Sequence, residues 1–232
     1  MIDFHSHFLP NMDDGSSSVE ESIEMLKASY DYGVNVMCAT PHFRPQRETP
    51  DSFLERRQAA YEKLPLDMPG IPRVLLGAEV YYFEGISRSE SVKKLKLQGT
   101  DYILIEMPFA RWTENMVRDV CSIKARLRLT PYMAHIERYI KYQKGTDYID
   151  RIRDSGALIQ SNASFFLDSK TSRKAMKMLK KGEIDLLASD CHNMNARKPD
   201  LGPAREKIEN KLGHEVLDRV DFLGMKIIGN SR

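Results

Sequence analysis

Of the six histidines in this 232-residue sequence, five stand where they could hold a metal ion. His5 and His7 form a His-x-His pair in IDFHSH. His42 follows Pro41 in CATPHF, His135 ends PYMAH, and His192 stands two residues after Asp190 in SDCH. Glu79, Glu106 and Asp190 close apolar runs of the same kind. Side chains two apart on an extended strand point to the same side, so His5 pairs with His7 and Asp190 with His192. Imidazoles and carboxylates are the usual ligands of zinc, manganese and iron. One strand-end imidazole alone is ordinarily a hydrogen-bonded structural group, and one carboxylate a solvated or capping one. Together they read differently, because so many such groups on one rim would be electrostatically severe without cations. His214 stands apart in a late polar segment, where solvation is expected. Asp13 and Asp14, in NMDDGSSS, either cap the following helix near its positive end or reach the metals. Spacing does not decide between these roles, or between the two residues.

Arginines accompany the set. Arg138 follows His135 by three residues and Arg197 follows His192 by five, while Arg44 stands two after His42. A guanidinium offers forked donors that match a phosphate. Metals with flanking arginines suit hydrolysis of a phosphate ester, one of the slowest uncatalysed reactions. A rival chemistry is written over the same segment. Cys38 and Arg44 have the C-x5-R spacing of cysteine-dependent phosphatases, whose thiolate attacks phosphorus. Yet CATPHFR has no glycine, Pro41 offers no N–H to cradle a phosphate, and Cys38 falls inside an apolar run. Cys38 is therefore expected to be structural.

These groups must be carried by elements that bring them together. Strand-length apolar runs cover 2–7, 35–40, 73–79, 101–106, 130–135, 157–162 and 184–190. Helix signals lie between them. Ser17 and Ser18 precede Glu20 and Glu21 as in a capping box, and Gly33 stops that helix. Pro50 opens a helix through Leu64, and Thr113 caps one running to about Leu127. Further helices are expected over about 146–155, 171–181 and 203–212, with a proline-rich loop at 64–72. Strands alternating with helices imply a parallel sheet. In a parallel α/β barrel the carboxyl ends of all strands meet on one face, so the ligand-bearing ends converge.

Composition narrows the alternatives. A chain of this length fits one domain, 1–232. Balanced charge, +2 from 35 basic and 33 acidic residues, gives no footprint for nucleic acid and argues against a nuclease. The start MIDFHSH lacks a basic region and a long apolar stretch, so no signal peptide is expected. Apolar runs are too short for stable membrane insertion. Three cysteines do not make a disulfide framework, which points to reduced thiols and a cytoplasmic location. An inactive, metal-stabilised interaction module is disfavoured by the completeness of the ligand set.

The segments MIDFHSHFLPNMDDG, CATPHFRP, LGAEVYY, YILIEMP, PYMAHIERY and LASDCHNMNAR extend from residue 1 to about 200. In this order they resemble the PHP family, named for polymerase and histidinol phosphatase domains. The opening and the HIERY segment resemble its bacterial protein-tyrosine phosphatases of capsule and exopolysaccharide synthesis. The resemblance implies a distorted seven-stranded TIM-like α/β barrel of PHP type with two or three divalent ions. Manganese leads, with iron, zinc, cobalt or magnesium as alternatives. One metal would take His5, His7, Glu79 and Asp190, and a second Glu79, Glu106 and His135. A third would take Asp14, His42 and His192, which prefers Asp14 to Asp13. Arg138 and Arg197 would serve catalysis and, with Arg44, hold the phosphate. The expected partner is a phosphotyrosine protein, namely a bacterial tyrosine kinase. The alternative is a histidinol-phosphatase-like enzyme acting on a small phosphomonoester.

Overall fold

The computed structural model describes residues 1–229. The last three residues of the single domain expected over 1–232 lie outside the described residues. Among the described residues, nine strands, all parallel, fall into two sheets. One has three strands: β1 (Ile2–Ser6), β2 (Val36–Ala39) and β4 (Arg73–Leu76), in that order. The other is a curled sheet of six: β3 (His42–Phe43), β5 (Glu79–Tyr81), β6 (Tyr102–Glu106), β7 (Thr130–Met133), β8 (Leu158–Asn162) and β9 (Leu186–Ala188).

The α/β class with a parallel sheet is as expected, while the strand count is nine rather than seven. The expected strand 73–79 is broken within, and a further short strand, β3, follows just beyond the expected strand 35–40. Thr40 and Pro41 separate β2 from β3, and Gly77 and Ala78 separate β4 from β5. Proline has no N–H for the ladder. Backbone bonds nevertheless cross both breaks: Gly77 N–H donates to Ala39 O at 2.8 Å, and Glu79 N–H to Pro41 O at 3.0 Å. At the far side, Asp190 N–H donates to His5 O and His7 N–H to Cys191 O, each at 2.8 Å, so the end of β9 lies against β1.

Helices fill the connections: α1 (Val19–Asp31), α2 (Pro50–Tyr61), α3 (Glu114–Leu127), α4 (Tyr148–Asp154), α5 (Ala163–Leu167), α6 (Ser172–Lys180), α7 (Leu201–Leu212) and α8 (Glu215–Gly229). The predicted caps at Ser18 and Thr113 operate, and Thr49, not assigned from the sequence, caps the helix that Pro50 opens. Ser18 accepts from Glu21 N–H, Glu21 answers by accepting from Ser17 N–H, and Thr49 and Thr113 cap α2 and α3. The short α5 and the last helix α8 were not expected. Five residues are too few to display a helical period, and α8 opens in a polar stretch. None of the described helices is long and apolar enough to cross a membrane.

The strands are buried on both faces, as parallel strands between helices must be. Along β2 and β6 one side chain in two, Val36, Cys38 and Leu104, joins an inner cluster with Phe4, Leu75, Tyr132, Ala134 and Leu186. Their neighbours Met37, Ala39, Ile103 and Ile105 pack outward with the helices. Ile227 of α8 closes the inner cluster. With its inner space filled by side chains, the sheet leaves chemistry to the carboxyl ends of its strands.

Candidate metal centre

The strand ends are bent to aim their side chains. Register slips along β1 between Asp3 and Ser6, so Ile2 and Phe4 feed the inner core while His5 and His7 face the carboxylates. Asp3 fixes this bend, accepting from Ser189 Oγ and N–H at 2.5 and 3.0 Å. His135 and Asp190 hold φ of 29° and 53°, a region that non-glycine residues visit rarely and at a cost. Both are held in place by β8. Gln160 Oε1 accepts from His135 N–H at 2.8 Å, and Asn162 Nδ2 donates to Asp190 Oδ2 at 2.7 Å.

Glu79 sits at the middle. Its Oε1 is 2.9 Å from His135 Nε2, and its Oε2 is 2.7, 3.3 and 3.4 Å from His42 Nδ1, His5 Nε2 and His7 Nε2. Asp190 Oδ1 is 3.5 Å from both His5 and His7 Nε2. Glu106 lies 3.8 Å from His42 and 3.9 Å from His135. Asp14 approaches His42 at 3.3 Å and His192 at 3.6 Å. Among the described residues, three groups have ligand atoms close enough to share an ion: His5 with His7 and Asp190; His42 with Glu79 and Glu106; and Asp14 with His7, His42 and His192. All nine expected residues thus converge on one site. His42 and His7 are shared more widely than the resemblance implies. His135 reaches the cluster through Glu79 and Glu106.

The two aspartates divide their work. Asp14 is 65% exposed at its side chain and points at imidazoles, whereas Asp13 is buried at 7%. Asp13 Oδ2 lies 2.7 Å from His7 Nδ1 and accepts from His42 N–H at 2.8 Å, so it orients one ligand ring and anchors the backbone of another. Gly15 makes this turn possible, since a Cβ there would come within 2.0 Å of His7 O. Gln160, Asn162 and Asp13 are supporting residues that strand-end reasoning did not assign. The signal was present in LIQSN, where two amides stand two apart at the end of an apolar strand.

The arginines arrive from three loops. Arg138 donates to Asp190 Oδ2 at 2.6 Å and Arg44 to Glu106 at 2.8 Å, while Arg197 forms an ion pair with Asp190 Oδ2 at 2.8 Å. Arg44 also lies 4.6 Å over the Tyr81 ring. Burial works against charge throughout the site, but neighbours decide. His5 and His42 hold the Glu79 carboxyl well below the usual range despite its burial. Burial likewise opposes ionisation of Asp190, and His5, His7 and Arg138 outweigh it. Glu106 is pushed up, by burial and then by Glu79. Burial would lower His7, yet Asp13 and Glu79 raise it well above its ordinary value. His192, stacked at 3.9 Å on His7, is lowered to about 3 by burial and by the charge of His7.

Among the described residues, His42 Nδ1 and Glu79 Oε2, which face each other at 2.7 Å without hydrogen-bond geometry, and His135 Nδ1, Asp190 Oδ1 and His192 Nε2 are buried without a hydrogen-bond partner. Each such atom costs about 1–3 kcal/mol when left unsatisfied. Divalent cations take up lone pairs of this chemistry, so the residues present fit a metal site.

Cys38 does not belong to this centre. It is fully buried in the inner cluster, and burial followed by Asp3 pushes its thiol well above the ordinary range. A thiol that stays protonated inside a core is no nucleophile. Cys38→Ser is expected to keep turnover while losing about 1–3 kcal/mol of stability to a buried hydroxyl. A folded, metal-loaded but inactive Cys38→Ser protein would overturn this assignment; turnover and thermal unfolding on one sample check it.

Comparison with known proteins agrees with this geometry. The family model described as "Capsular polysaccharide synthesis, CpsB/CapC" matches residues 1–227. "Tyrosine-protein phosphatase CpsB" of Streptococcus agalactiae serotype III (strain NEM316) is 29% identical over 226 residues, covering 93% of this chain and 92% of that protein. The protein of the same name from Streptococcus pneumoniae is 30% identical over 228 residues, covering 92% and 91%. A solved structure from work on YwqE of Bacillus subtilis and CpsB of Streptococcus pneumoniae, described as unique metal-dependent tyrosine phosphatases, matches with a TM-score of 0.86 and 25% identity. It covers 100% of this chain and 96% of that one.

Proposed function

The chain belongs to the CpsB/CapC family of capsular polysaccharide synthesis, and from that membership we propose that it is a metal-dependent protein-tyrosine phosphatase. The observation that carries this reading is the convergence of five imidazoles and four carboxylates on one rim, with five of their buried atoms unpartnered and three arginines alongside. His5, His7, Glu79 and Asp190 would hold one cation, Glu79, Glu106 and His135 a second, and Asp14, His42 and His192 a third. Manganese is the ion we assign. When bound, such cations supply Lewis acidity toward phosphoryl oxygens and acidify water for attack near neutral pH.

The protein's own groups do the rest. Asp13 and Gln160 keep the His7 and His5 rings in place, so little reorganisation is needed as charge develops. Arg138 and Arg197, both on the Asp190 flank, bind phosphoryl oxygens as charge spreads over them. Arg44, steadied over Tyr81, adds a third donor. A tyrosyl leaving group, with a pKa near ~10, needs less protonation than an alkyl alcohol. We assign the substrate to a tyrosine kinase of capsule or exopolysaccharide synthesis and the encounter to the cytoplasm.

The fold reading goes with this. We take residues 1–232 as one domain and the nine strands as seven positions of a distorted barrel. β2 with β3 and β4 with β5 are each one strand interrupted once, and β9 returns to β1. Chain continuity across 40–41 and 77–78, with the backbone bonds between β1 and the end of β9, supports this.

Arg138 gives the test. Arg138→Ala should lower turnover on a phosphotyrosine peptide by ~10²–10³, about 3–4 kcal/mol of lost transition-state stabilisation, with metal content unchanged. Arg138→Lys should recover only part, since a point charge cannot reproduce the guanidinium fork. Wild-type turnover by a fully metal-loaded Arg138→Ala protein would remove Arg138 from the reaction. Histidinol phosphate, run beside the peptide, should be clearly the poorer substrate; the reverse order would favour a small-molecule phosphatase.

A further inference from the structure

Large apolar side chains left exposed among the described residues are Tyr30, Tyr32, Phe109, Phe222 and Met225. Of these, only Phe109 packs on a ring of the ligand cluster. Its ring lies 5.7 Å from that of His135, at 34°, and 5.6 Å from that of Tyr139, stacked at 24°. Tyr139 is buried and meets Trp112 edge-on at 5.2 Å. Phe109 itself is 44% exposed.

The exposed ring sits on a loop tied down at several points. Trp112 Nε1 donates to Pro108 O at 3.1 Å, and Gln143 Nε2 donates to Ala110 O at 2.8 Å. Trp112 N–H donates to Gln143 Oε1 at 3.2 Å, and Met107 N–H to the Tyr139 hydroxyl at 2.9 Å. An apolar face held rigid in water is prepaid ordering for a ligand that stacks on it.

A recess of about 380 Å³ is lined by Phe109, Glu137, Arg138, Lys141 and Tyr142, toward the small end of the ~300–1,000 Å³ of ligand pockets. Lys141 Nζ lies 4.7 Å over the Tyr142 ring, and both line the recess. Arg138 belongs to both places, lining the recess and donating to Asp190 in the metal centre at 2.6 Å. A guanidinium for the dianion beside a flat apolar face for a ring is the complement of an aryl phosphate. A larger recess of about 710 Å³, lined by His42, Arg44, Arg47 and Arg56 among others, has no aromatic lining residue but histidine.

We infer that Phe109 is the specificity-determining wall of the site, stacking on the phenyl ring of the phosphotyrosine and so selecting aryl over alkyl phosphomonoesters. The inference rests on the phosphatase reading above. Because aryl phosphates also carry better leaving groups, the test reads binding as well as turnover. Competitive inhibition by benzylphosphonate and by inorganic phosphate is measured on the metal-loaded wild type, Phe109→Ala, Phe109→Leu and Phe109→Tyr, with a phosphotyrosine peptide as substrate. Phe109→Ala should raise the inhibition constant of benzylphosphonate about tenfold and leave that of phosphate within about twofold. Phe109→Leu should fall between, and Phe109→Tyr should match the wild type. Constants that are unchanged, or that rise equally for both inhibitors, would overturn the role of Phe109 while leaving a working phosphatase. A metal-loaded wild type inert on the peptide would instead overturn the activity on which the inference stands.

Discussion

Glu79→Gln is expected to leave a folded protein with turnover reduced by more than ~10³-fold, beyond the ~10²–10³ that loss of a single charge-stabilising donor removes. The contacts of Glu79 reach four of the five imidazoles of the site. The Glu79 carboxylate lies within 3.4 Å of His5, His7, His42 and His135, from three different stretches of the chain. Its carboxyl is held ionised well below the ordinary range, with burial outweighed by the imidazoles around it. Glutamine keeps the shape and removes the negative charge, so volume and packing are preserved while two of the three proposed cation positions lose a ligand. Metal content should fall with turnover, and circular dichroism should not change. A Glu79→Gln protein that keeps its full metal content and more than about a tenth of wild-type turnover would exclude Glu79 from the centre.

The sequence was most informative where chemistry and periodicity coincide. His5 and His7 announce a shared face by their spacing, and their Nε2 atoms lie 3.0 Å apart. The caps at Ser18 and Thr113 follow from local hydrogen bonding, which needs no knowledge of the rest of the chain. Strand ends were less legible because they depend on neighbours. Regular pairing in β7 stops at Met133, two residues before His135, whose backbone leaves the extended region because Gln160 on the adjacent strand holds its N–H.

Asp13 and Asp14 show what adjacency conceals. Spacing could not tell them apart, since consecutive residues in a turn point in different directions set by the turn itself. The close approach of Gly15 to the His7 carbonyl fixes that turn, burying Asp13 against His7 and leaving Asp14 open toward His42 and His192. Phe109 was invisible for a related reason. A lone phenylalanine in a loop reads as a core residue, and only the bonds that pin residues 107–112 leave its ring exposed beside His135.

Removal of metal tests the account most directly. The unpartnered buried atoms of His42, Glu79, His135, Asp190 and His192 supply lone pairs but no nucleophile of their own. Phosphate monoesters hydrolyse so slowly without help that residual arginine contacts alone cannot give measurable turnover. Dialysis against a strong chelator, with metal content verified by elemental analysis, should therefore abolish hydrolysis of a phosphotyrosine peptide, a loss of at least ~10³-fold. Addition of manganese, or of another divalent ion such as cobalt, should restore it, with two or three equivalents bound per chain at saturation. Full turnover in a preparation shown to be free of metal would contradict the account.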